Sequence, residues 1–175
     1  MKKGIIVYQS KYGSTKKYVN WFKTMVNYDV LQIKEANLSI LKNYEIIIFM
    51  GGFYASGISG LFFLRKNYYG LKNKKVAVFG VGASPYDPAT IQQVRHNNFK
   101  EELSELTLFY GRGAWNEEKM TFIDRGLCWL LVKSLSKKDP ESYLPWQQAL
   151  MSSQGQKVDW TNPKYLEPLL EFVNS

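Results

Sequence analysis

The chain has 175 residues, 45% of them apolar and 15% aromatic, and a formal charge of +8. At about 150 residues per domain, one domain spanning 1–175 is expected, long enough to bury a sizeable core. A single cysteine, Cys128, and a single histidine, His96, exclude an internal disulfide framework and a multi-cysteine or histidine-rich metal centre.

No apolar run has the length needed to cross a bilayer. Met1-Lys2-Lys3 leads straight into Ile5-Ile6-Val7, which lacks the length and cleavage chemistry of a signal peptide, so a reduced, cytoplasmic location is expected. The pI near 9.4 fits an anionic partner: nucleic acid, an acidic membrane surface or a phosphorylated ligand. A solvated basic surface explains the charge without any partner. Only Arg65, Arg95, Arg112 and Arg125 are arginines. Base readout leans on arginine forks, so specific nucleic-acid recognition is not expected.

Short apolar runs alternate with longer amphipathic segments. Gly4–Tyr8 reads as a strand buried on both faces, and Ser14–Val26 as a helix with Val19, Phe22, Met25 and Val26 on one stripe. Asp29–Ile33 is a weaker strand, and Asn37 caps a short helix. Tyr44–Met50, with Ile46-Ile47-Ile48-Phe49, is the strongest strand signal. Gly51–Gly60 reads as a Gly- and Ser-rich loop, followed by a helix from about Ile58 to Asn67. Lys75–Phe79 is the next strand and Gly80–Pro88 the next loop. Asp87-Pro88 opens a helix running to about Glu102. Leu106–Tyr110 is a fifth strand.

Asn116 is expected to cap a helix over Glu117–Ser136, with acidic residues in its first turn. Met120, Ile123, Leu127, Leu130 and Leu131 follow helical spacing and are expected in the core. Phe122, Trp129 and Lys133 fall off that stripe and suit a contact face for a substrate or a membrane, or an incidental surface. Lys137–Lys157 is irregular. Asn162-Pro163 opens a last helix, which Pro168 either kinks or delays. The crossover lengths favour parallel pairing, so the expected fold is α/β: a three-layer, doubly wound, five-stranded parallel sheet.

In such sheets ligands bind at the carboxyl ends of the strands. The loop after the first strand holds Ser10, Ser14 and Thr15 around Gly13 and leads into a helix N-terminus. Unpaired N–H groups, the helix dipole and hydroxyl donors suit a phosphate there, with Lys11 adding positive charge. Simple N-capping by Ser14 or Thr15 is the alternative. The Gly-Lys-Ser/Thr ending of a nucleotide-binding P-loop is missing, and Gly80-x-Gly82 lacks the third glycine of a dinucleotide fingerprint. A monophosphate fits better than a pyrophosphate. Gly51, Gly52 and Gly57 permit close backbone approach, and Phe53, Tyr54 and Tyr86 suit stacking on a flat ring. No Gly-x-Ser-x-Gly elbow is present, and His96 is the only imidazole, so serine or cysteine hydrolysis is not expected.

Ser10-Lys11-Tyr12-Gly13-Ser14-Thr15 after Ile5-Ile6-Val7-Tyr8 resembles the FMN-phosphate loop of flavodoxins. The Gly-rich loop after the third strand and the Gly-x-Gly loop after the fourth are similar in position to the flavodoxin loops flanking the isoalloxazine ring. Beyond residue 105 the chain resembles a narrower group, the flavodoxin-like, menaquinone-dependent protoporphyrinogen oxidases. The shared features are a strand ending near Gly111-Arg112-Gly113, a long basic and aromatic helix, and Val158-Asp159-Trp160 before the last helix.

The resemblance implies strand order 2-1-3-4-5, non-covalent FMN and electron transfer, with no obligatory acid–base side chain. It implies phosphate contacts from Ser10, Tyr12, Gly13, Ser14 and Thr15. Gly52, Phe53, Tyr54, Ala55 and Gly57 would lie along the flavin N5 edge, and Gly82, Ala83 and Ser84 along the pyrimidine edge. Implied partners are a redox protein, a quinone or a porphyrin. Simple electron carriers of this family are acidic, whereas this chain is basic. Acidic partners, anionic lipid or a carboxylated porphyrin therefore suit it better than basic redox proteins. A flavodoxin that only shuttles electrons, and a flavodoxin-fold binding protein without efficient flavin binding, are the alternatives.

Overall fold

The computed structural model describes residues 3–54 and 57–175; Ala55, expected at the flavin edge, lies outside them. In chain order the elements are β1 (Gly4–Gln9), α1 (Ser14–Met25), β2 (Asp29–Gln32), α2 (Leu38–Leu41), β3 (Ile46–Tyr54), β4 (Gly57–Ile58) and α3 (Leu61–Asn67). There follow β5 (Lys75–Gly82), α4 (Pro88–Asn98), β6 (Thr107–Arg112), β7 (Ala114–Asn116), α5 (Phe122–Leu135), α6 (Pro145–Ser152), β8 (Lys157–Asp159) and α7 (Glu167–Asn174).

The apolar runs form a parallel sheet in the order β2-β1-β3-β5-β6. With the short hairpin strand β4 set aside, this is the expected 2-1-3-4-5. Alternation along each strand divides the core in two. Ile5, Val7, Ile47 and Phe49 pack with Leu41, Leu61, Leu64 and Val94 of α2, α3 and α4. Ile6, Ile48, Met50 and Phe79 pack with Tyr18, Val19 and Phe22 of α1 and Leu169 and Val173 of α7. Burying each such large apolar side chain contributes about 1.5–3 kcal/mol. Neither cluster contains a residue of α5.

Four expectations need correction. First, the Gly51–Gly60 loop is largely strand: β3 runs on to Tyr54 and turns back, pairing Phe53 with Ile58 and Tyr54 with Gly57. The glycines do not break the ladder, because Gly51 stays paired with Gln9 and Gly80. The helix after this hairpin accordingly starts at Leu61. Second, the helix after Asp87 stops at Asn98 rather than near Glu102.

Third, Asn116 caps only a single tight turn, Glu117–Lys119, and Met120 is extended. The long helix starts at Phe122, where the Thr121 hydroxyl accepts from the Asp124 N–H at 3.2 Å. Fourth, Ile123, Leu127, Leu130 and Leu131, expected in the core, are exposed together with Phe122 and Trp129. Only Asp124 and Leu135 of α5 are buried. Residues 137–157, expected to be irregular, contain α6 and lead into β8, which pairs antiparallel with β7. Pro168 stands in the first turn of α7, so it delays that helix rather than kinking it.

Candidate functional site

The carboxyl ends of β1, β3 and β5 open onto one cavity of about 400 Å³. Ser10, Lys11, Tyr12, Ser14 and Thr15 form one wall, Gly52, Phe53 and Tyr54 a second, and Gly82 and Ala83 a third. Ten of the expected residues therefore meet around one space. Gly13, Gly57, Ser84 and Tyr86 do not line it. Gly13 shapes the loop instead: its φ of +100° is the left-handed conformation that glycine adopts without penalty. Gly57 sits on the hairpin strand. Ser84 lines the neighbouring cavity, and Tyr86 is 59% exposed, its ring 6.1 Å from that of Tyr110.

The first loop is built to receive an acceptor. Ser10 Oγ accepts from the N–H groups of Gly13 (3.2 Å) and Lys16 (3.3 Å), leaving its own proton to donate. Ser14 Oγ accepts from the Ala114 N–H at 3.2 Å, which ties the loop to β7. Thr15 is only 4% exposed, yet its hydroxyl has no hydrogen-bond partner among the described residues. No buried side-chain oxygen or nitrogen among the described residues lacks a partner, so this hydroxyl is open to the cavity and free to donate to what enters it. The N–H groups of Ser14 and Thr15, in the first turn of α1, also have no protein acceptor among the described residues. A second crevice of about 480 Å³, bordered by Lys11, Lys16 and Lys34, adjoins the same loop.

Phe53 does not project freely as a stacking group. Its ring lies across β5, where a Cβ on Gly80 would collide with it, and 5.5 Å from the Tyr110 ring. The Gly-x-Gly of this strand makes room for Phe53. Gly52 has another role: a Cβ there would meet nothing closer than Thr15 Oγ1 at 3.7 Å. Glycine at that position leaves space in the cavity.

Reading the sequence missed the fourth wall. It consists of Gly113, Ala114 and Trp115 around β7, and of Asp124, Leu127, Cys128 and Leu131 on α5. Asp124 fixes that wall. Its carboxylate accepts from the hydroxyls of Tyr12 and Tyr54 and lies 2.5 Å from the Lys11 ammonium. The Lys11 hydrogen bond, seconded by the two phenols, holds the Asp124 carboxyl well below the usual carboxylate range. The same bond raises Lys11, and the bond from Tyr54 to Asp124 raises that phenol. Lys11 is thus partnered before any ligand arrives. Burial pushes the Cys128 thiol up, so this side chain faces the cavity as a protonated thiol. No group of side chains among the described residues suits a metal ion.

Asp159 and Trp160 act as a strap. Asp159 accepts from Lys17 Nζ at 2.8 Å, while Trp160 donates its N–H to Gly113 and stacks on Arg112 at 4.0 Å. Partial burial opposes ionisation of Asp159, but hydrogen bonds from Lys17 and Thr161 outweigh it and hold the carboxyl at about 2. The strap closes β7 and β8 over the start of α1.

A larger cavity of about 730 Å³ adjoins the first, and the two share Phe53, Tyr54, Gly82, Ala83, Trp115 and Leu131 as a common wall. Its far side is α4 and α6, with Trp146 and Leu150. Among the described residues its lining contains no lysine or arginine. Asp87, its one carboxylate among the described residues, is already committed to capping α4 through Thr90.

A family model described as the flavodoxin domain matches residues 5–142. The chain belongs to the flavodoxin domain family. Among solved structures it is similar to a flavodoxin, WrbA-like protein from Agrobacterium tumefaciens, with 14% identity and a TM-score of 0.50 over 87% of this chain and 92% of that one. It is also similar to two-electron reduced flavodoxin from Megasphaera elsdenii, with 18% identity and a TM-score of 0.46 over 61% and 82%. A flavoprotein in complex with FMN from Lactobacillus acidophilus matches at 17% identity and a TM-score of 0.44 over 64% and 93%. No curated protein matches the chain. At these identities the likeness is one of fold. In this flavodoxin-domain protein, the 400 Å³ cavity lies where the carboxyl ends of a doubly wound sheet place a ligand.

Proposed function

We propose that this flavodoxin-domain protein binds FMN non-covalently in the 400 Å³ cavity and passes electrons between it and an organic acceptor. The observation that carries this reading is the Thr15 hydroxyl. It makes no hydrogen bond among the described residues, opens onto the cavity, and lies beside the free N–H groups of the first turn of α1. A phosphate satisfies all of these donors at once. Gly52 leaves room, and the backbones of Gly52 and Gly82 lie where the edges of a flat ring would approach. Bound FMN would supply the one- or two-electron chemistry; the protein supplies orientation and electrostatics.

The adjoining 730 Å³ cavity favours an oxidoreductase over a simple electron carrier, because it offers space for an organic molecule beside the first site. Its mainly apolar lining, without lysine or arginine among the described residues, favours a neutral ring compound such as a quinone. A carboxylated porphyrin would require cations there. The test is a visible spectrum of the purified protein and titration of stripped protein with FMN and with riboflavin. Turnover assays with a quinone and with a reduced porphyrin follow. Tight one-to-one FMN binding that riboflavin does not match, with quinone turnover, is expected. A colourless protein that ignores FMN overturns the reading, and turnover of neither organic compound returns it to an electron carrier.

A further inference from the structure

Helix α5 is the least covered long helix of the fold. It is 14 residues long, about 21 Å at 1.5 Å per residue. Phe122 is 90% exposed, Ile123 75%, Trp129 59% and Leu130 57%. At 100° per residue these four fall on one side of the helix with Lys133, opposite Asp124, Cys128 and Leu135. None of the four lines either cavity. A contiguous exposed patch of this kind marks an interaction surface.

The charges decide what covers it. The helix's only acid, Asp124, is turned inward onto Lys11, so its exposed charges are Arg125 and Lys133. Each cation sits beside the apolar patch, Lys133 4.9 Å from the Trp129 ring and Arg125 5.9 Å from the Phe122 ring. Lys137 and Lys138 follow directly, and the whole chain carries +8. Two copies joined through this face would bring their cations together. An anionic bilayer would neutralise them while burying the aromatic and aliphatic side chains. Tryptophan, phenylalanine and leucine with flanking lysine and arginine is the composition of a helix lying in a membrane interface.

We propose that α5 docks on the surface of an anionic bilayer, with Phe122, Ile123, Trp129 and Leu130 among the acyl chains and Lys133 at the headgroups. Leu131 and Leu144 line the 730 Å³ cavity and are themselves 39% and 54% exposed. That cavity therefore opens beside α5, but on the flank of the helix turned away from Phe122 and Lys133 rather than on the docked face.

The test is co-sedimentation of the protein, with and without added FMN, on vesicles of phosphatidylcholine alone or mixed with phosphatidylglycerol. Because it reads vesicle binding, it is independent of flavin binding. Binding is expected only to the anionic vesicles and to weaken with salt. The double variant I123S/L130S should lower the partition coefficient at least tenfold, from the loss of two buried apolar side chains. K133E changes the charge by two units and should lower it about 25-fold, each unit of charge near such a surface contributing about fivefold. Both variants alter exposed side chains and should keep the wild-type melting temperature. No binding to anionic vesicles, or binding that I123S/L130S leaves unchanged, overturns the proposal. So does a solution dimer that the same double variant dissociates, since a second copy would then be the occupant.

Discussion

Replacing Thr15 with valine separates phosphate binding from loop structure. Valine keeps the volume and branching of the buried side chain and removes only the hydroxyl. That hydroxyl has no protein partner among the described residues, so the folded protein gives up no internal hydrogen bond. If it donates to a phosphate oxygen, a charge-assisted bond of about 1.5–3 kcal/mol disappears. At 1.4 kcal/mol per decade, the dissociation constant for FMN rises about 10- to 150-fold. Riboflavin has no phosphate, so its affinity should not move. The assay is fluorescence titration of stripped T15V with both ligands, together with a thermal melt. Ser10→Ala is the contrast, because Ser10 Oγ holds the Gly13 and Lys16 N–H groups. S10A should destabilise the protein by about 0.5–2 kcal/mol, as loss of a helix cap does, besides weakening FMN. Equal losses of FMN and riboflavin affinity in T15V, or no loss of either, would refute the phosphate assignment.

Gly13→Ala places a Cβ on a left-handed residue and should cost about 1–2 kcal/mol; a urea melt reads it, and an unchanged midpoint contradicts the loop geometry. Asp124 titrates below its unfolded value near 3.9. Its contribution to stability is therefore complete above that pH and lost as the pH falls through the lower folded value. Below about pH 4, wild type should lose stability more steeply than D124N, and parallel pH profiles would show that the carboxylate is not coupled to folding. The positive field of the chain should favour the fully reduced, anionic flavin, so that its potential is less negative than in an acidic carrier. Salt should shrink the difference. A potentiometric titration showing a very low, salt-insensitive couple would contradict this.

The sheet was legible because Gly4–Tyr8, Ile46–Phe49 and Val76–Phe79 are unbroken apolar runs separated by helix-length crossovers. A strand buried on both faces has no other reading once its neighbours are parallel. The loop Ser10–Thr15 was legible for a similar reason, since its chemistry lies in consecutive residues. The fourth wall of the cavity was not, because Gly113, Trp115 and Asp124 reach it from far along the chain. The orientation of α5 was also hidden. Apolar residues occupy most of its circumference, so periodicity selected Ile123, Leu127 and Leu130 for a core that they do not enter. Two signals were present. Thr121-x-x-Asp124 has the spacing of a helix N-terminus, and a lone carboxylate in so apolar a helix needs a cation, which Lys11 provides.

The rotation of α5 follows from a close balance. A turn of about 100°, one residue's worth, would bring Ile123, Leu127 and Leu130 inward and carry Cys128 and Leu135 out. In water this gains roughly one large apolar side chain, about 1.5–3 kcal/mol. It would also separate Asp124 from Lys11, Tyr12 and Tyr54, whose bonds favour the orientation observed. The two terms oppose each other, so α5 should be less firmly held in solution than α1, which buries Tyr18, Val19 and Phe22. On a bilayer the balance tips. The outer face is then buried by lipid while the inner face keeps Asp124, and the observed rotation satisfies both sides. Amide hydrogen exchange reads this directly. The α5 amides should exchange faster than those of α1 in solution and slow on phosphatidylglycerol vesicles, with α1 unchanged. Exchange in α5 as slow as in α1 without lipid would mean that Asp124 alone fixes the helix. Membrane docking would then add nothing to its orientation.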